Sequence, residues 1–414
     1  MSPFALFGVI LPLLLLGVVS IDVTSTVSGI GITKGDTGTR PASPFVDGGK
    51  EFIGGEIRAW NGKTLDVTSP IIDETTGART VIGKIADMTG DDALKALEHA
   101  MRAWENGRGA WPQLSGWERI EIVKKIQAEI KQRRSEIINV LMWEICKSVE
   151  DAASEFDRTM EFIDASIDAY TATLHGSSGG AWKTVNGIMA SIRKAAIGIM
   201  LCLGPFNYPF NETYATLIPA LLTGNVVIMK IPAIGCLAHV LTMEAYAKHL
   251  PKGVLNFVSG SGRVTVSPLM KTGKIDILAF IGGSRAADAI IKDHPNPHRL
   301  KVFLQLEGKN LGVVLPDADL DVAVEQVTIG STTYNGQRCT AIKLVMVHKS
   351  IIEPFLAKIK SKFKTLKHGM PWDDGTLTHS LTHLLTHSLT HSLTHSLTYL
   401  VAGSRCQDNS VTRA

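Results

Sequence analysis

No two cysteines in this chain are spaced as CxxC; the five present, Cys146, Cys202, Cys236, Cys339 and Cys406, are odd in number and far apart. That excludes a disulfide frame or a zinc ribbon and fits reduced thiols, any one of which is available as a nucleophile. Blocks of like charge are also missing: 42 Lys and Arg stand against 39 Asp and Glu, a net charge of +3, so nothing in the electrostatics calls for a nucleic-acid partner. The dinucleotide fingerprint G-x-G-x-x-G is absent, and long hydrophobic runs are scarce. The one exception is FALFGVILPLLLLGVV at residues 4–19, whose leading residues carry no Lys or Arg and which Pro12 interrupts.

What is present is the make-up of a folded globular protein: 414 residues, 45% hydrophobic and 20% charged, enough for two or three domains. From Asp91 to Cys146 apolar residues recur at three and four, which predicts packing helices with Trp104, Trp111 and Trp117 as core or helix-junction anchors. In WKTVNGIMASI, residues 182–192, two β-prone runs flank Asn186-Gly187 and predict a protruding hairpin. Apolar runs of strand length follow at 197–203, 226–230, 254–258, 277–281 and 302–306, each succeeded by a helical segment. Such alternation predicts an α/β fold, a doubly wound parallel sheet that binds dinucleotides at its strand C-terminal ends. Glycines sit after two of the strands, at Gly260 and at Gly282-Gly283-Ser284, where a backbone can approach a pyrophosphate at a helix N-terminus.

Two segments carry nucleophilic chemistry. In YNGQRCT, residues 334–340, Cys339 follows a glycine turn and neighbours Arg338, a cation that favours thiolate. In GPFNYP, residues 204–209, Asn207 is held between prolines at a strand end, where a rigid amide can serve as an oxyanion donor.

The order and spacing of GPFNYP, VIMK (227–230), FIGGS (280–284), GKN (308–310), LPDADLD (315–321) and NGQRCT resemble the aldehyde dehydrogenase superfamily over roughly residues 51–374. The resemblance implies a Cys339 thiolate that attacks an aldehyde, Asn207 and the Cys339 backbone N–H that hold the oxyanion, and NADP or NAD as hydride acceptor. It implies cofactor contacts at Pro205, Phe206, Lys230, Gly260, Gly282, Gly283, Ser284 and Glu307, and no metal. Ala233 stands where NAD-preferring relatives carry a glutamate, so no carboxylate repels a 2′-phosphate and NADP is favoured. The Gly282-Gly283 pair and Arg338 look like the non-phosphorylating glyceraldehyde-3-phosphate dehydrogenase branch, with Arg338 as a clamp for an anionic substrate. A semialdehyde carrying a carboxylate stays open.

One departure touches the chemistry. The family's general base is the first residue of a motif E-L-G-G-K, and here that position is Gln305, the nearest carboxylate being Glu307. Two residues along a strand keep the same face, so Glu307 is the expected replacement base, with a structural glutamate as the alternative.

The resulting organisation is a candidate signal or targeting segment at 1–20, a linker at 21–49, an NAD(P)-binding domain at 50–305 with an oligomerisation ribbon near 182–193, a partial catalytic domain at 306–374 and a tail at 375–414. Cytoplasmic, plastid and secretory destinations stay open. The tail repeats T-H-S-L and carries His379, His383, His387, His391 and His395, which reads either as a helical metal-binding face or as translated repetitive DNA. The family's later E-x-F-G-P segment is missing, and the catalytic sheet is expected to end near residues 343–348 with unpaired edges. Two functions of different class follow: an aldehyde-oxidising homo-oligomer, or a truncated relative that binds cofactor or partner subunits without turnover.

Overall fold

The computed structural model describes residues 39–73, 75–175, 179–373 and 375, together with the strand segments Val18–Ile21, Thr33–Lys34 and Thr378–His379. The apolar run before Val18, the histidine repeat beyond His379 and Cys406 lie outside the described residues.

Five parallel strands form the central sheet in the spatial order Leu255–Val258, Val226–Lys230, Ile199–Leu203, Ile277–Gly282, Lys301–Leu306. The chain starts in the middle, moves to one edge and returns to fill the other, which is the doubly wound arrangement expected from the alternating pattern. Side chains alternate strictly between two cores. Ile199, Leu201, Val226, Ile228 and Leu278 face a layer containing Ala93, Ala96, Leu97 and Ala100, while Met200, Cys202, Val227, Met229 and Ala279 face Tyr214, Leu217 and Leu221. Burial on both faces explains why these strands read as unbroken apolar runs.

The helix Gly90–Trp104 supplies the first layer and is opened by a reciprocal capping box between Thr89 and Asp92. Its alanine face lets the helix lie close on the sheet. The predicted helical region resolves into Gly90–Trp104, Ala110–Gln113, Gly116–Gln132 and Arg134–Ile145. Trp111 is fully buried, whereas Trp117 is 48% exposed against the ring of His175, so only part of the tryptophan expectation holds. A 27-residue helix, Val149–His175, was not anticipated.

The strands Gly179–Val185 and Ile188–Arg193 form the expected hairpin, with Asn186 and Gly187 at φ of 49° and 79°. Positive φ at both turn residues matches the right-handed twist of the flanking strands. Trp182, Val185, Ile188 and Met189 are 63 to 70% exposed on it.

A second, smaller layer follows the central sheet. Asn310–Val314 and Ile342–His348 pair in parallel, and the helices Leu320–Thr332 and Ile352–Lys364 cover them around Val324, Val327, Val345, Phe355, Ile359 and Phe363. The expectation of unpaired sheet edges holds only in part: Val18–Ile21 pairs antiparallel with Ile342–His348, while Asn310–Val314 pairs on one side only among the described residues. Lys301–Leu306 is a parallel strand of the sheet, as predicted, but it is not covered on both faces like the others. It is an edge strand, with Val302, Phe303 and Leu304 exposed by 38 to 61%. Ordered structure also begins before Lys50, because Val46–Gly48 pairs with Arg79–Ala86.

Candidate active site

Parallel register brings the strand C-terminal ends side by side: Leu203 pairs with Lys230 and Phe280, Lys230 with Val258, and Gly282 with Leu306. The turns after these strands, carrying Pro205-Phe206-Asn207, Gly260 and Gly282-Gly283-Ser284, therefore open on one rim of the sheet. Lys230 ends its strand with 7% exposure, and among the described residues its ammonium has neither an ion-pair nor a hydrogen-bond partner. Burial drops its pKa to about 8. A buried cation without a partner is what a ligand's hydroxyls or phosphate would satisfy, and exposed Ala233 nearby adds no carboxylate.

The glycines on this rim differ in purpose. A Cβ on Gly260, which has φ of 82°, would come within 2.9 Å of the Met88 backbone, and one on Gly282 would meet the Phe280 ring at 2.6 Å. Both are required by packing. A Cβ on Gly283 would meet nothing within 4 Å, so Gly283 alone faces open space, at the start of the helix Ser284–Lys292. Pro205 is buried and Phe206 half-exposed in the turn after Leu203.

Four cysteines are described, and only Cys339 is not buried. Burial lifts Cys146 to about 12 and Cys202 to about 11, and raises Cys236 as well, which leaves those three inert. Cys339 lies just beyond a turn in which Tyr334, Asn335 and Gly336 all have positive φ. The strain of two non-glycine residues there is held by the buried Tyr334, whose hydroxyl donates to the Ile145 carbonyl at 3.0 Å. Among the described residues the Cys339 N–H has no acceptor, while its carbonyl accepts from the Asn310 side chain.

Asn207 meets this loop directly. Its Nδ2 donates to the Gln337 carbonyl at 2.7 Å, and its Oδ1 accepts from the Tyr208 N–H at 3.1 Å. The amide is fixed in orientation, with a second Nδ2 hydrogen left for an oxyanion.

The expected replacement base makes no hydrogen bond to Cys339 among the described residues. Strand geometry ends at Leu306, and Glu307 turns to the helix N-terminus, accepting from the Ser284 N–H at 2.7 Å and from the Ser284 hydroxyl at 2.6 Å. The bond from the Ser284 hydroxyl is the main reason its pKa is lowered. The side chain that reaches the thiol is Gln305, whose Nε2 donates to Cys339 Sγ at 3.3 Å. No carboxylate hydrogen-bonds the thiol or Gln305 among the described residues.

Arg338 is partly committed elsewhere. Its Nη2 donates to the Gly330 and Ile329 carbonyls at 3.1 and 3.3 Å, closing the C-terminal end of the helix Leu320–Thr332, while its Nε is buried without a partner. The free donor edge is what stays available to an anion. Lys343 donates to the Gly336 carbonyl, and its pKa is lowered by burial first and then by repulsion from Lys309 and Arg338.

Behind the two loops lies a cluster that sequence reasoning missed. The Lys147 ammonium is fully buried, paired with Glu155, and sits 3.4 Å from the Tyr208 ring centroid and 4.7 Å from that of Tyr334. Glu155 also accepts from the Phe210 and Asn211 N–H groups at 3.0 and 3.1 Å, capping the helix Asn211–Leu222. One ion pair thus holds the Asn207 turn and the Cys339 turn together. Neither residue carried a signal on its own, since the turns they hold, at Tyr208 to Asn211 and at Tyr334, lie more than 50 residues away. Among the described residues no group of His, Cys, Asp and Glu could hold a metal, and no helix is long and apolar enough to cross a membrane.

A model of the aldehyde dehydrogenase family matches residues 60–389. The chain is 31% identical to the NADP-dependent glyceraldehyde-3-phosphate dehydrogenase of Streptococcus equinus over 334 residues, 80% of this chain and 67% of that one. It is 28% identical to the enzyme of the same name from Triticum aestivum over 354 residues, 82% of this chain and 68% of that one. Among solved structures, lactaldehyde dehydrogenase from Escherichia coli superposes with a TM-score of 0.72 at 26% identity, covering 81% of this chain and 68% of that one. The NADP-dependent glyceraldehyde-3-phosphate dehydrogenase from Bacillus halodurans complexed with NADP gives 0.70 at 27% identity, covering 80% and 67%. The chain spans about two thirds of the length of these relatives.

Proposed function

Since the chain belongs to the aldehyde dehydrogenase family of oxidoreductases, we propose that it oxidises a small anionic aldehyde, glyceraldehyde 3-phosphate first among candidates, with NADP as the oxidant. The observation that carries this is the meeting of Cys339, the only unburied described cysteine, with the fixed Asn207 amide on the same pair of loops.

In this reading the Cys339 sulfur attacks the aldehyde carbon, and the Asn207 Nδ2 and the Cys339 N–H hold the oxygen as it gains charge. The nicotinamide, when bound, accepts the hydride. Lys230 would hold the adenine-side ribose or its 2′-phosphate, supported by its partnerless burial, and Gly283 gives the dinucleotide backbone room to approach. The free edge of Arg338, with Lys343 nearby, favours an aldehyde that carries phosphate or carboxylate. Homo-oligomer formation through the exposed apolar hairpin belongs to the same proposal, with Ile188→Asp expected to lower the mass seen by analytical ultracentrifugation.

The test is rapid-mixing absorbance of NADPH on adding glyceraldehyde 3-phosphate and NADP. One equivalent of NADPH per Cys339 supports the proposal; a trace matching that of Cys339→Ser ends it.

A further inference from the structure

The position from which a base would serve Cys339 holds an amide, and that bears on what leaves the enzyme. A carboxamide takes no proton near neutral pH, so Gln305 cannot draw one from an attacking water. The Glu307 oxygens are both engaged by Ser284. Of the nearby carboxyl groups, Glu155 is paired with Lys147, and among the described residues no hydrogen bond joins the Asp151 carboxylate to Cys339 or Gln305. Water, with a pKa of about 15.7, needs a base to attack a thioester at a useful rate. A thiol does not. It ionises unaided near a pKa of about 8.5, and its thiolate attacks a thioester with no proton transfer.

The surroundings also select among thiols. Lys309, Lys343 and Arg338 lie close enough together for the first and third to lower the pKa of the second, and Lys343 responds to Cys339 as well. Lys343 is tied to Gly336 in the nucleophile turn. An acceptor carrying negative charge is drawn to this corner and a cationic one is repelled.

We propose that the acyl group on Cys339 is passed to a small anionic thiol and not to water, an inference that rests on Cys339 being the nucleophile proposed above. In that step the entering thiolate sulfur bonds to the acyl carbon, the bond from that carbon to Cys339 Sγ breaks, and Cys339 departs as thiolate. No electron or proton changes hands, and the product is a new thioester.

The test needs no cofactor. The full chain is mixed with p-nitrophenyl acetate, release of p-nitrophenolate is followed, and acetylated protein is tracked by intact mass. Expected is a burst of one equivalent, absent in Cys339→Ser, then an acetyl adduct that persists at least about tenfold longer than in Gln305→Glu. Thioglycolate should clear that adduct at least about tenfold faster than the cationic thiol cysteamine at equal thiolate concentration, with acetyl-thioglycolate appearing. A burst followed by hydrolysis as fast as in Gln305→Glu overturns the acceptor and leaves the nucleophile standing. Clearance by inorganic phosphate but not by thioglycolate overturns it too. Absence of any burst in the wild-type chain removes the nucleophile and the acceptor together.

Discussion

The amide nitrogen of Gln305 stands 3.3 Å from the sulfur of Cys339 and donates to it. A neutral donor there supports a negative sulfur, and a carboxylate in its place would repel one. Gln305→Glu should therefore slow alkylation of Cys339 by iodoacetamide at pH 7 by roughly threefold to tenfold, with the fold unchanged by circular dichroism. Equal alkylation rates would mean that the two side chains do not meet in solution.

Asn207 is tethered to the nucleophile loop through Gln337. Replacing it with alanine removes both the tether and the proposed oxyanion donor. The p-nitrophenolate burst rate should fall about 10²- to 10³-fold, while the unfolding free energy drops by only about 1 kcal/mol. Comparable losses in both measurements would make Asn207 a structural residue alone.

Lys147 and Glu155 are both fully buried and paired. Lys147→Met leaves an unpaired carboxylate and should cost about 3–5 kcal/mol in urea unfolding. Combining it with Glu155→Gln should recover part of that loss. A double variant worse than the sum of the singles contradicts the pairing.

Glu307 occupies the N-terminus of the helix Ser284–Lys292, the position proposed for a dinucleotide phosphate. Neutralising it in Glu307→Gln should tighten NADP binding in calorimetry by roughly twofold to fivefold. Weaker binding would show that the carboxylate helps hold the cofactor.

Burial lowers Lys230 from 10.5 to about 8, so its ammonium is present below pH 8 and fades above it. Adenosine 2′-monophosphate, a dianion throughout this range, should bind best below pH 8 and progressively less well between pH 8 and 9.5. The same depression costs stability below pH 8, and that cost fades as pH rises toward 10.5. Flat binding across the window would place Lys230 away from the phosphate.

Much of this architecture was readable because burial leaves marks in composition. Val226–Lys230 is buried along its whole length and reads as an apolar run; Asn186-Gly187 adopts positive φ and reads as a turn. Glu307 was misread because parity along a strand applies only while the strand lasts, and it ends one residue earlier, where a helix N-terminus captures the carboxylate. The exposure of Lys301–Leu306 was hidden because Val302, Phe303 and Leu304 are as apolar as residues in a covered strand. The helix Val149–His175 carries Phe156, Met160, Ile163 and Ile167 at helical spacing, but Glu155, its most consequential residue, becomes informative only once Lys147 and the Phe210 N–H are beside it.

The nine-residue core beneath Asn310–Val314 and Ile342–His348 is far smaller than the cores of the central sheet. Opening free energies within one protein follow such differences, so the small layer should detach while the sheet stays folded. Cys339 sits on the segment joining the helix Leu320–Thr332 to Ile342–His348, and Tyr334 on that segment packs in the large core, so Cys339 lies at the hinge between the part that opens and the part that stays. The nucleophile is then rationed by a breathing equilibrium: whatever ligand bridges Asn207 and Cys339 would be the clasp that keeps the halves shut, and amide exchange in residues 320–348 should slow when it binds.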